Sequence, residues 1–313
     1  MELNYLIYFR TVAQTEHISQ AAARLHITQP ALSRAISRVE ETVGAQLFER
    51  GANSIRLNHT GRAFLRRVEQ ILSEYDDALR EASDNSGAET GSVKLVAPTL
   101  ELVSGFLRQY LRSHPNMQVF HQLAGTEAAV RELETHGADF AICTRPSGAI
   151  HMDWEPLFQE RYYLAVSRQH PLAREREVSL RDLSDQRYIF NHGSSVFAEI
   201  MKGFCYQAGF EPRVFFMGDE TEFALDLVAD NLGIMFIPAS MMDPRQNRLL
   251  ECYRDSLQFL NLRDPDCSRT IGVARLKNGY LTRTAAAVLE AVRTYYGTLS
   301  DIQGFTAIQA HEA

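Results

Sequence analysis

The chain has 313 residues, of which 45% are apolar and 23% are charged, and its formal net charge is −7. This length predicts two or three domains, and the composition excludes an intrinsically disordered chain. No apolar run approaches the roughly 18 residues that a membrane span needs. The N-terminus also lacks the basic start and apolar core of a signal peptide. We therefore expect a cytoplasmic protein with no membrane partner.

The charge is divided unevenly along the chain. Residues 1–67 contain nine Arg, no Lys and five acidic residues, which gives a net charge of +4. Everything after residue 67 carries 23 basic and 34 acidic residues, a net charge of −11. This split predicts a small anion-binding module at the N-terminus, joined to an acidic body.

The cysteines and histidines predict neither a metal site nor a disulfide framework. The ten histidines form no HxxxH or HExxH pattern, and the cysteines form no CxxC pair. Widely scattered cysteines are typical of buried free thiols. They are Cys143, Cys205, Cys252 and Cys267. We expect no metal and no cofactor.

Three helical patterns fit before residue 40. The first is an apolar pattern that begins near Leu3. Ser19 is a candidate N-cap for the second helix, and "HIT" then forms a short turn. Thr28 can cap the third helix, where Pro30 lies in the first turn and removes no hydrogen bond.

The third helix has two distinct faces. Leu32, Ala35, Ile36 and Val39 follow the helical spacing of a buried face. The opposite face is polar and cationic and consists of Gln29, Ser33, Arg34, Ser37 and Arg38. An ordinary amphipathic helix with a solvated polar face is the alternative. A helix of this kind after a short turn also suits the major groove of DNA, as in a helix-turn-helix.

The segment "AQLFERGANSIRLNHTGRAFL" predicts a turn, a short strand pair and a new helix. Arg50 and Arg56 flank a Gly/Asn-rich tip, which is the composition of a hairpin. A basic hairpin beside such a helix suits DNA phosphates or the minor groove. The predicted DNA contacts are Ser19, Gln29, Pro30, Ser33, Arg34, Ser37, Arg38, Arg50 and Arg56.

The string "FRTVAQTEHISQAAARLHITQPALSRAISRVEETVGAQLFERGANSIRLNHTGRAFL" resembles the winged helix-turn-helix of the LysR-type transcriptional regulators almost position by position. A weaker likeness continues through the rest of the chain. The resemblance implies a transcriptional regulator that binds double-stranded promoter DNA, with RNA polymerase as a further partner.

A long helix is predicted from Thr60, a candidate N-cap, to about residue 86. Its apolar residues are spaced 3, 4, 3, 4 and 3 apart, which favours pairing with another helix. They are Leu65, Val68, Leu72, Tyr75, Leu79 and Ala82. A helix packed on its own body is the alternative. The resemblance implies a homodimer formed through this helix and a tetramer built as a dimer of dimers. Residues 83–91 are predicted to form a hinge.

The remainder alternates between strand and helix patterns. It begins as βαβαβ and restarts at "RYYLAVS", which predicts two α/β halves, each a parallel sheet with helices on both faces. The chain leaves the first half and returns to it at "SRTIGVARL", so a cleft is expected between the halves. This region resembles the LysR-type effector domain, whose two subdomains are like periplasmic binding proteins, through "GADFAI", "HPLA", "GFEP" and "LVADNLGIMFIP".

The predicted architecture is therefore multidomain. A mainly α-helical winged helix-turn-helix occupies residues 1–59, and the long linker helix with its hinge occupies residues 60–90. The effector domain is α/β and occupies residues 91–313. Its subdomain I comprises residues 91–162 and 268–300, and its subdomain II comprises residues 163–267.

A small-molecule effector is expected at the carboxyl ends of the strands, beside the N-termini of helices. Hydroxyls and free backbone N–H groups at these places favour a small anionic metabolite, although each hydroxyl could also be a plain N-cap. Pro98 departs from the small or polar residue that the family often has there. The predicted effector site consists of Thr99, Leu100, Thr126, Arg145, Phe190, Ser194 and Thr221.

Two other classes of function were weighed. An enzyme would need a nucleophile elbow, a phosphate loop or a metal cluster, and neither GxSxG nor GxxxxGK[ST] occurs. A solute-binding protein would not explain the basic N-terminal module. We therefore expect no catalytic residues, and the expected function is a DNA-binding regulator controlled by a small molecule.

Overall fold

The computed structural model describes residues 2–50, 55–85, 91–191, 195–242, 249–299 and 304–308. The chain separates into two compact units. The first contains Met1–Gly87 with Glu134–His136, and the second contains Ala88–Leu133 with Gly137–Ala313. Within the described ranges, no helix combines the length and apolar content that crossing a membrane requires.

The first unit is a helical bundle with a two-stranded antiparallel hairpin. The expected hairpin pairs Phe48 with Leu57 and Arg50 with Ile55, while its Gly/Asn-rich tip lies outside the described residues. The elements are α1 (Leu3–Thr15), α2 (Ile18–Arg24), α3 (Gln29–Val43), β1 (Phe48–Arg50), β2 (Ile55–Leu57) and α4 (His59–Asn85).

Two helix starts differ from the sequence predictions. The N-cap of α2 is His17, so the prediction of Ser19 as N-cap is wrong and Ser19 lies inside the helix. Helix α4 begins at His59, before the predicted Thr60 cap. The Asn58 side chain accepts a hydrogen bond from the Gly61 amide at 2.8 Å and takes the capping role. Thr28 is the N-cap of α3, as predicted.

The linker helix does not use its heptad pattern in one uniform way. Val68 and Leu72 are buried in the core of the first unit, where they pack with residues of α1, α3 and the hairpin. Tyr75 and Leu79 follow in the same pattern but are 45% and 54% exposed. The pattern therefore serves the helix-turn-helix core in its first half and leaves an apolar surface in its second half.

The second unit is built on a nine-stranded mixed sheet and a separate parallel strand pair. The sheet order is β4-β3-β5-β12-β6-β11-β7, with β10 and β13 also paired to β6, and β8 pairs with β9. The strands are β3 (Ser92–Ala97), β4 (Gln118–Leu123), β5 (Phe140–Cys143), β6 (Met152–Ser167), β7 (Glu177–Ser179), β8 (Arg187–Asn191), β9 (Arg213–Gly218), β10 (Met235–Pro238), β11 (Leu257–Arg263), β12 (Ser268–Leu276) and β13 (Phe305–Ala307).

Six helices accompany these strands. The two parallel βα runs expected from the sequence are present, because β3 pairs in parallel with both β4 and β5. The helices are α5 (Leu100–Ser113), α6 (Thr126–Glu134), α7 (Ser195–Gln207), α8 (Thr221–Ala229), α9 (Ala239–Met242) and α10 (Arg283–Gly297).

The prediction of two wholly parallel sheets is wrong. The string "RYYLAVS" is the second half of one 16-residue strand, β6, rather than the start of a new one. Strand β12 runs antiparallel to both β5 and β6, and β10 and β11 are also antiparallel to β6. The strand Met152–Ser167 therefore continues through both halves of the unit.

Strand β6 contributes to two separate hydrophobic cores. Phe158 lies in one core with residues of β3, α5, β12 and α10. Tyr162 and Leu164 lie in another with residues of β8, α7 and β10. These cores correspond to the two expected halves. The tail adds β13 against β6, an element that the sequence pattern did not reveal.

Gly61 offers a test of the packing between α4 and the hairpin. A Cβ added there would overlap the Leu47 carbonyl oxygen and the Leu57 side chain. We expect Gly61→Ala to lower the free energy of unfolding of the first unit by about 1–3 kcal/mol, the usual cost of overpacking. Urea denaturation followed by circular dichroism measures it.

Gly203→Ala is the matched control, because Gly203 also lies in a helix but an added Cβ meets nothing within 4 Å. This change should be neutral or stabilising by up to about 1 kcal/mol. Equal effects of the two substitutions would contradict the close approach at Gly61.

Candidate DNA interface and ligand cleft

The predicted DNA-contacting face of α3 is exposed. Leu32, Ala35, Ile36 and Val39 are buried, as their spacing predicted. The opposite face presents its side chains to solvent, fully for Gln29, Pro30, Arg34 and Arg38 and partly for Ser33 and Ser37. Helix α3 therefore has one face for the core and one that is free to meet another molecule.

The cations on this face differ in their surroundings. Arg34 forms no ion pair within the described ranges, whereas Arg38 lies 3.2 Å from Glu41 in a solvent-exposed pair. Exposed pairs of this kind contribute little energy, so the Arg38 guanidinium can exchange Glu41 for a phosphate. Both side chains supply positive charge to the same surface.

Ser19 and Gln29 are brought together by the turn between α2 and α3. The Ser19 hydroxyl donates a hydrogen bond to the Gln29 side-chain oxygen at 3.0 Å. This contact directs the Gln29 amide nitrogen, which is a donor, away from Ser19. Sequence reasoning placed both residues at the interface without predicting that one orients the other.

The hairpin is held to α3 by a buried carboxylate. Glu40 is 4% exposed and accepts hydrogen bonds from the backbone amides of Leu47 at 2.8 Å and Phe48 at 3.3 Å. Arg56 on β2 projects from the hairpin and lies 3.7 Å from Glu16. The side chain of Arg50 lies outside the described part of the chain.

A cleft opens in the second unit at the carboxyl ends of β3, β8 and β10. The space inside it, including the open mouth, is about 410 Å³. Its apolar wall consists of Phe197, Met235, Phe236, Pro238 and Met241. Its polar and charged groups belong to Thr99, Glu101, Asn191, Thr221, Ser240 and Arg269. A cavity that is mostly apolar with a few convergent polar groups is typical of a small-molecule site.

A buried ion pair stands at the base of this cleft. Arg269 on β12 lies directly across from Glu160 on β6, and its Nη2 and Nε are 2.6 and 2.7 Å from Glu160 Oε1. The other carboxylate oxygen accepts the Ser240 amide at 2.9 Å. Such a pair is stable in the interior only because its geometry and hydrogen bonds offset the cost of desolvation.

The predicted effector residues separate into several groups. Thr99 and Thr221 line the cleft, and Thr221 also accepts a hydrogen bond from the Asn191 amide. Thr126 is buried and hydrogen-bonded to Thr144 at 2.8 Å, outside the cleft lining. Arg145 lies 5.7 Å from the centre of the Trp154 ring.

The remaining predicted residues do not line the cleft in the described part of the chain. Leu100 is half exposed, and Phe190 is fully buried in an aromatic core with Tyr188 and Phe236. Phe190 cannot form the apolar wall because its ring points into that core; Phe197 and Phe236 form the wall instead. Ser194 lies outside the described residues.

Sequence reasoning missed the charged residues of the cleft. Arg269 occurs in the strand "SRTIGVARL", where its burial could have been inferred only from the alternation that places it on the same face as Ile271 and Val273. Its partner Glu160 lies 109 residues earlier, so no local pattern connects the two. Glu101 has the sequence position of an ordinary acid in the first turn of a helix.

Three of the four thiols are buried. Burial raises the pKa of Cys143, Cys205 and Cys267 to about 12 in each case. A thiol with so high a pKa forms almost no thiolate at neutral pH and is a poor nucleophile. Cys252 is exposed. Across the described ranges, no group of three or more His, Cys, Asp or Glu residues is arranged to hold a metal ion.

Two family models of known proteins match this chain. Residues 3–62 match the family model "Bacterial regulatory helix-turn-helix protein, lysR family". Residues 86–297 match the family model "LysR substrate binding domain". The two matches together cover most of the chain and contain both the α3 face and the cleft.

Individual relatives span nearly the whole chain. The transcriptional dual regulator GltC of Bacillus subtilis is 28% identical over 97% of this chain and 100% of its own length. A hydrogen peroxide-inducible genes activator of Haemophilus influenzae is 28% identical over 94% of this chain and 98% of its own. A full-length OxyR variant from Pseudomonas aeruginosa has the same fold, with a TM-score of 0.62, 22% identity and coverage of 99% of both chains. The chain belongs to the LysR family of bacterial transcriptional regulators.

Proposed function

We propose that this LysR-family regulator binds promoter DNA through the exposed face of α3 and the hairpin. The observation that carries the proposal is the polar, cationic face of α3, which stands beside a hairpin anchored through Glu40. Gln29 and Arg34 can pair with base edges in the major groove, and Ser33, Ser37 and Arg38 can bind phosphates. Arg50 and Arg56 of the hairpin are proposed to contact the neighbouring backbone.

The cleft of the second unit is proposed to hold the effector. Its lining is mostly apolar and contains a few polar and charged groups, which is typical of a site for a small metabolite. Thr99 and Thr221 stand at the N-termini of α5 and α8, where free backbone N–H groups favour an anionic group. Thr126 and Arg145 are proposed as a neighbouring part of the same site. No catalytic step belongs to this proposal.

Self-association is proposed through apolar surfaces that the fold leaves exposed. Ile71, Tyr75 and Leu79 recur every four residues on α4 and are each at least 45% exposed. The edge strands β4 and β9 expose Phe120 and Phe215 by 56% and 49%. Covering such surfaces in a homodimer, and in a tetramer built from two dimers, would bury apolar area that a monomer leaves in water.

Oligomerisation is the proposed means by which ligand binding in the cleft affects DNA binding. A ligand that changes the angle between the two halves of the second unit would change the spacing of the α3 helices in the oligomer. The DNA bend and the access of RNA polymerase would then change with it. Because its partner is chromosomal DNA, the proposed location is the cytoplasm, at the nucleoid.

The chemistry of the thiols favours a non-covalent signal. Peroxide sensing requires an accessible thiolate. Burial raises the pKa of Cys143, Cys205 and Cys267 to about 12, which opposes that chemistry. These three thiols are therefore poor candidates for such a sensing step, and Cys252 is the exposed thiol that peroxide could reach.

Replacing Arg34 tests the assignment of the DNA-contacting face. Arg34→Ala should weaken specific promoter binding by about 1–3 kcal/mol, the size of one good base contact, while the thermal stability stays unchanged. Arg112→Ala is the matched control, since it removes the same charge from an exposed position of the second unit. Fluorescence anisotropy across a salt series measures both. Full affinity in Arg34→Ala would show that another face meets DNA.

Peroxide treatment tests the proposed signal. In a Cys252→Ser background only the buried thiols remain, and their raised pKa predicts that stoichiometric hydrogen peroxide leaves promoter affinity and the free-thiol count unchanged. Anisotropy titrations and thiol counting with a chromogenic disulfide reagent measure the two quantities. A change in affinity that disappears on replacing Cys205 would refute this prediction.

A further inference from the structure

The two charged residues that line the cleft differ in how their charges are balanced. Arg269 is matched by Glu160, because two of its three guanidinium nitrogens contact that carboxylate. Glu101 lies on the same cavity wall in the first turn of α5, and its carboxylate forms no hydrogen bond or ion pair within the described residues. Among the described residues that line the cleft, Glu101 therefore contributes a negative charge that has no partner.

Arg269 nevertheless has one guanidinium nitrogen, Nη1, that does not contact Glu160. Its Nη1 has no hydrogen-bond partner in the described part of the chain, although the side chain is only 6% exposed. The guanidinium carbon lies 5.3 Å from the centre of the Tyr162 ring and 5.2 Å from that of Phe197. Rings on the guanidinium and a carboxylate at its edge fix its orientation, and Arg269 is one of the residues that line the cleft, so a ligand there can use Nη1 as a donor.

A ligand of this site has to pair with the Glu101 carboxylate and accept a hydrogen bond from Arg269. It also has to do so without adding net charge to a partly desolvated site. A simple anion would bond to Arg269 but would leave two unpaired negative charges, its own and that of Glu101, beside Glu160. A simple cation would pair with Glu101 and leave Nη1 without an acceptor. A zwitterion satisfies both, because its carboxylate accepts from Nη1 while its ammonium pairs with Glu101.

The rest of the wall is apolar. Phe197, Phe236 and Met241 can cover a hydrocarbon or aromatic group. The polar groups thus bind one end of a ligand, and the apolar wall binds the other.

We propose that the cleft binds an α-amino acid with an apolar side chain, its carboxylate on Arg269 and its ammonium on Glu101. This inference rests on the proposed function only in taking the cleft as the effector site. The Glu160–Arg269 pair lies on β6 and β12, the strands that join the two cores, and Glu160 also accepts the Ser240 amide of α9. The bound carboxylate therefore contacts the point where these elements meet.

Calorimetric titration of the full chain with the twenty standard α-amino acids tests the proposal. The tightest binder is then compared with its des-amino acid, which lacks the ammonium, and with its primary amide, which lacks the carboxylate. Each loss should weaken binding by about ten- to a hundredfold, the equivalent of one charge-assisted hydrogen bond.

Two variants assign the contacts. Glu101→Gln should abolish the preference for the amino acid over its des-amino acid. Glu127→Gln should preserve it, because Glu127 has the same place in the first turn of α6 but lies outside the cavity lining. Glu160→Gln combined with Arg269→Gln removes the guanidinium without leaving a buried charge unpaired. This double variant should lose discrimination between the amino acid and its amide.

Specific outcomes would overturn the inference. A des-amino acid that binds as tightly as the amino acid would do so, as would unaltered discrimination in Glu101→Gln. A third outcome is that no amino acid binds, but an acid or amine from a metabolite panel raises the melting temperature of the full chain. That result would reject an amino acid as the ligand and would keep the proposal that the cleft binds an effector. Promoter binding that is insensitive to Arg34 would instead count against the proposed DNA interface and leave the ligand result intact.

Discussion

The ion pair between Glu160 and Arg269 is the constraint around which the second unit is arranged. Burying both charges costs free energy that only short, well-placed hydrogen bonds offset, so β6, β12 and the start of α9 must keep their relative positions. Those strands also carry the chain between two hydrophobic cores. A ligand that contacts Arg269 therefore contacts the place where motion between the two halves would be transmitted.

A second buried carboxylate has the corresponding role in the first unit. Glu40 on the inner side of α3 accepts two backbone amides at the start of the hairpin. Loss of either bond would leave a buried charge or an amide without a partner, so the hairpin and α3 move as one body. The outer face of α3 can consequently be entirely polar, because none of its side chains is needed to hold the fold.

Local patterns in the sequence predicted what depends on neighbouring residues. The faces of α3, the Thr28 cap, the hairpin and the boundaries of β12 follow from periodicity and turn chemistry within a few residues. Local sequence patterns did not predict that Asn58 caps α4. They also did not predict that the apolar residues of the α4 heptad are buried in the first half of the helix and exposed in the second. Both features depend on which surface the helix packs against. Leu72 and Tyr75 look alike in the pattern, yet one is buried and the other is exposed.

The pairing of strands that lie far apart in the sequence could not be predicted from local patterns. The sequence pattern predicted only the second half of β6, "RYYLAVS", as a strand. The antiparallel partners β10, β11, β12 and β13 all lie beyond residue 234, so no local pattern connects them to β6. Two of the residues predicted for the effector site, Thr99 and Thr221, line the cleft, whereas Glu101 and Arg269 line it without having been predicted. Phe190 was expected to supply part of the apolar wall of the effector site, and the aromatic core of its own half buries it instead.

The central claim is that ligand binding in the second unit controls how the first unit engages DNA. Footprinting and bend-angle measurement on one promoter fragment, with the full chain and with or without a saturating cleft ligand, test it most directly. A ligand that binds the cleft should change the protected length or the bend while the contacts of α3 stay in place. An identical footprint and an identical bend at saturation would contradict the claim.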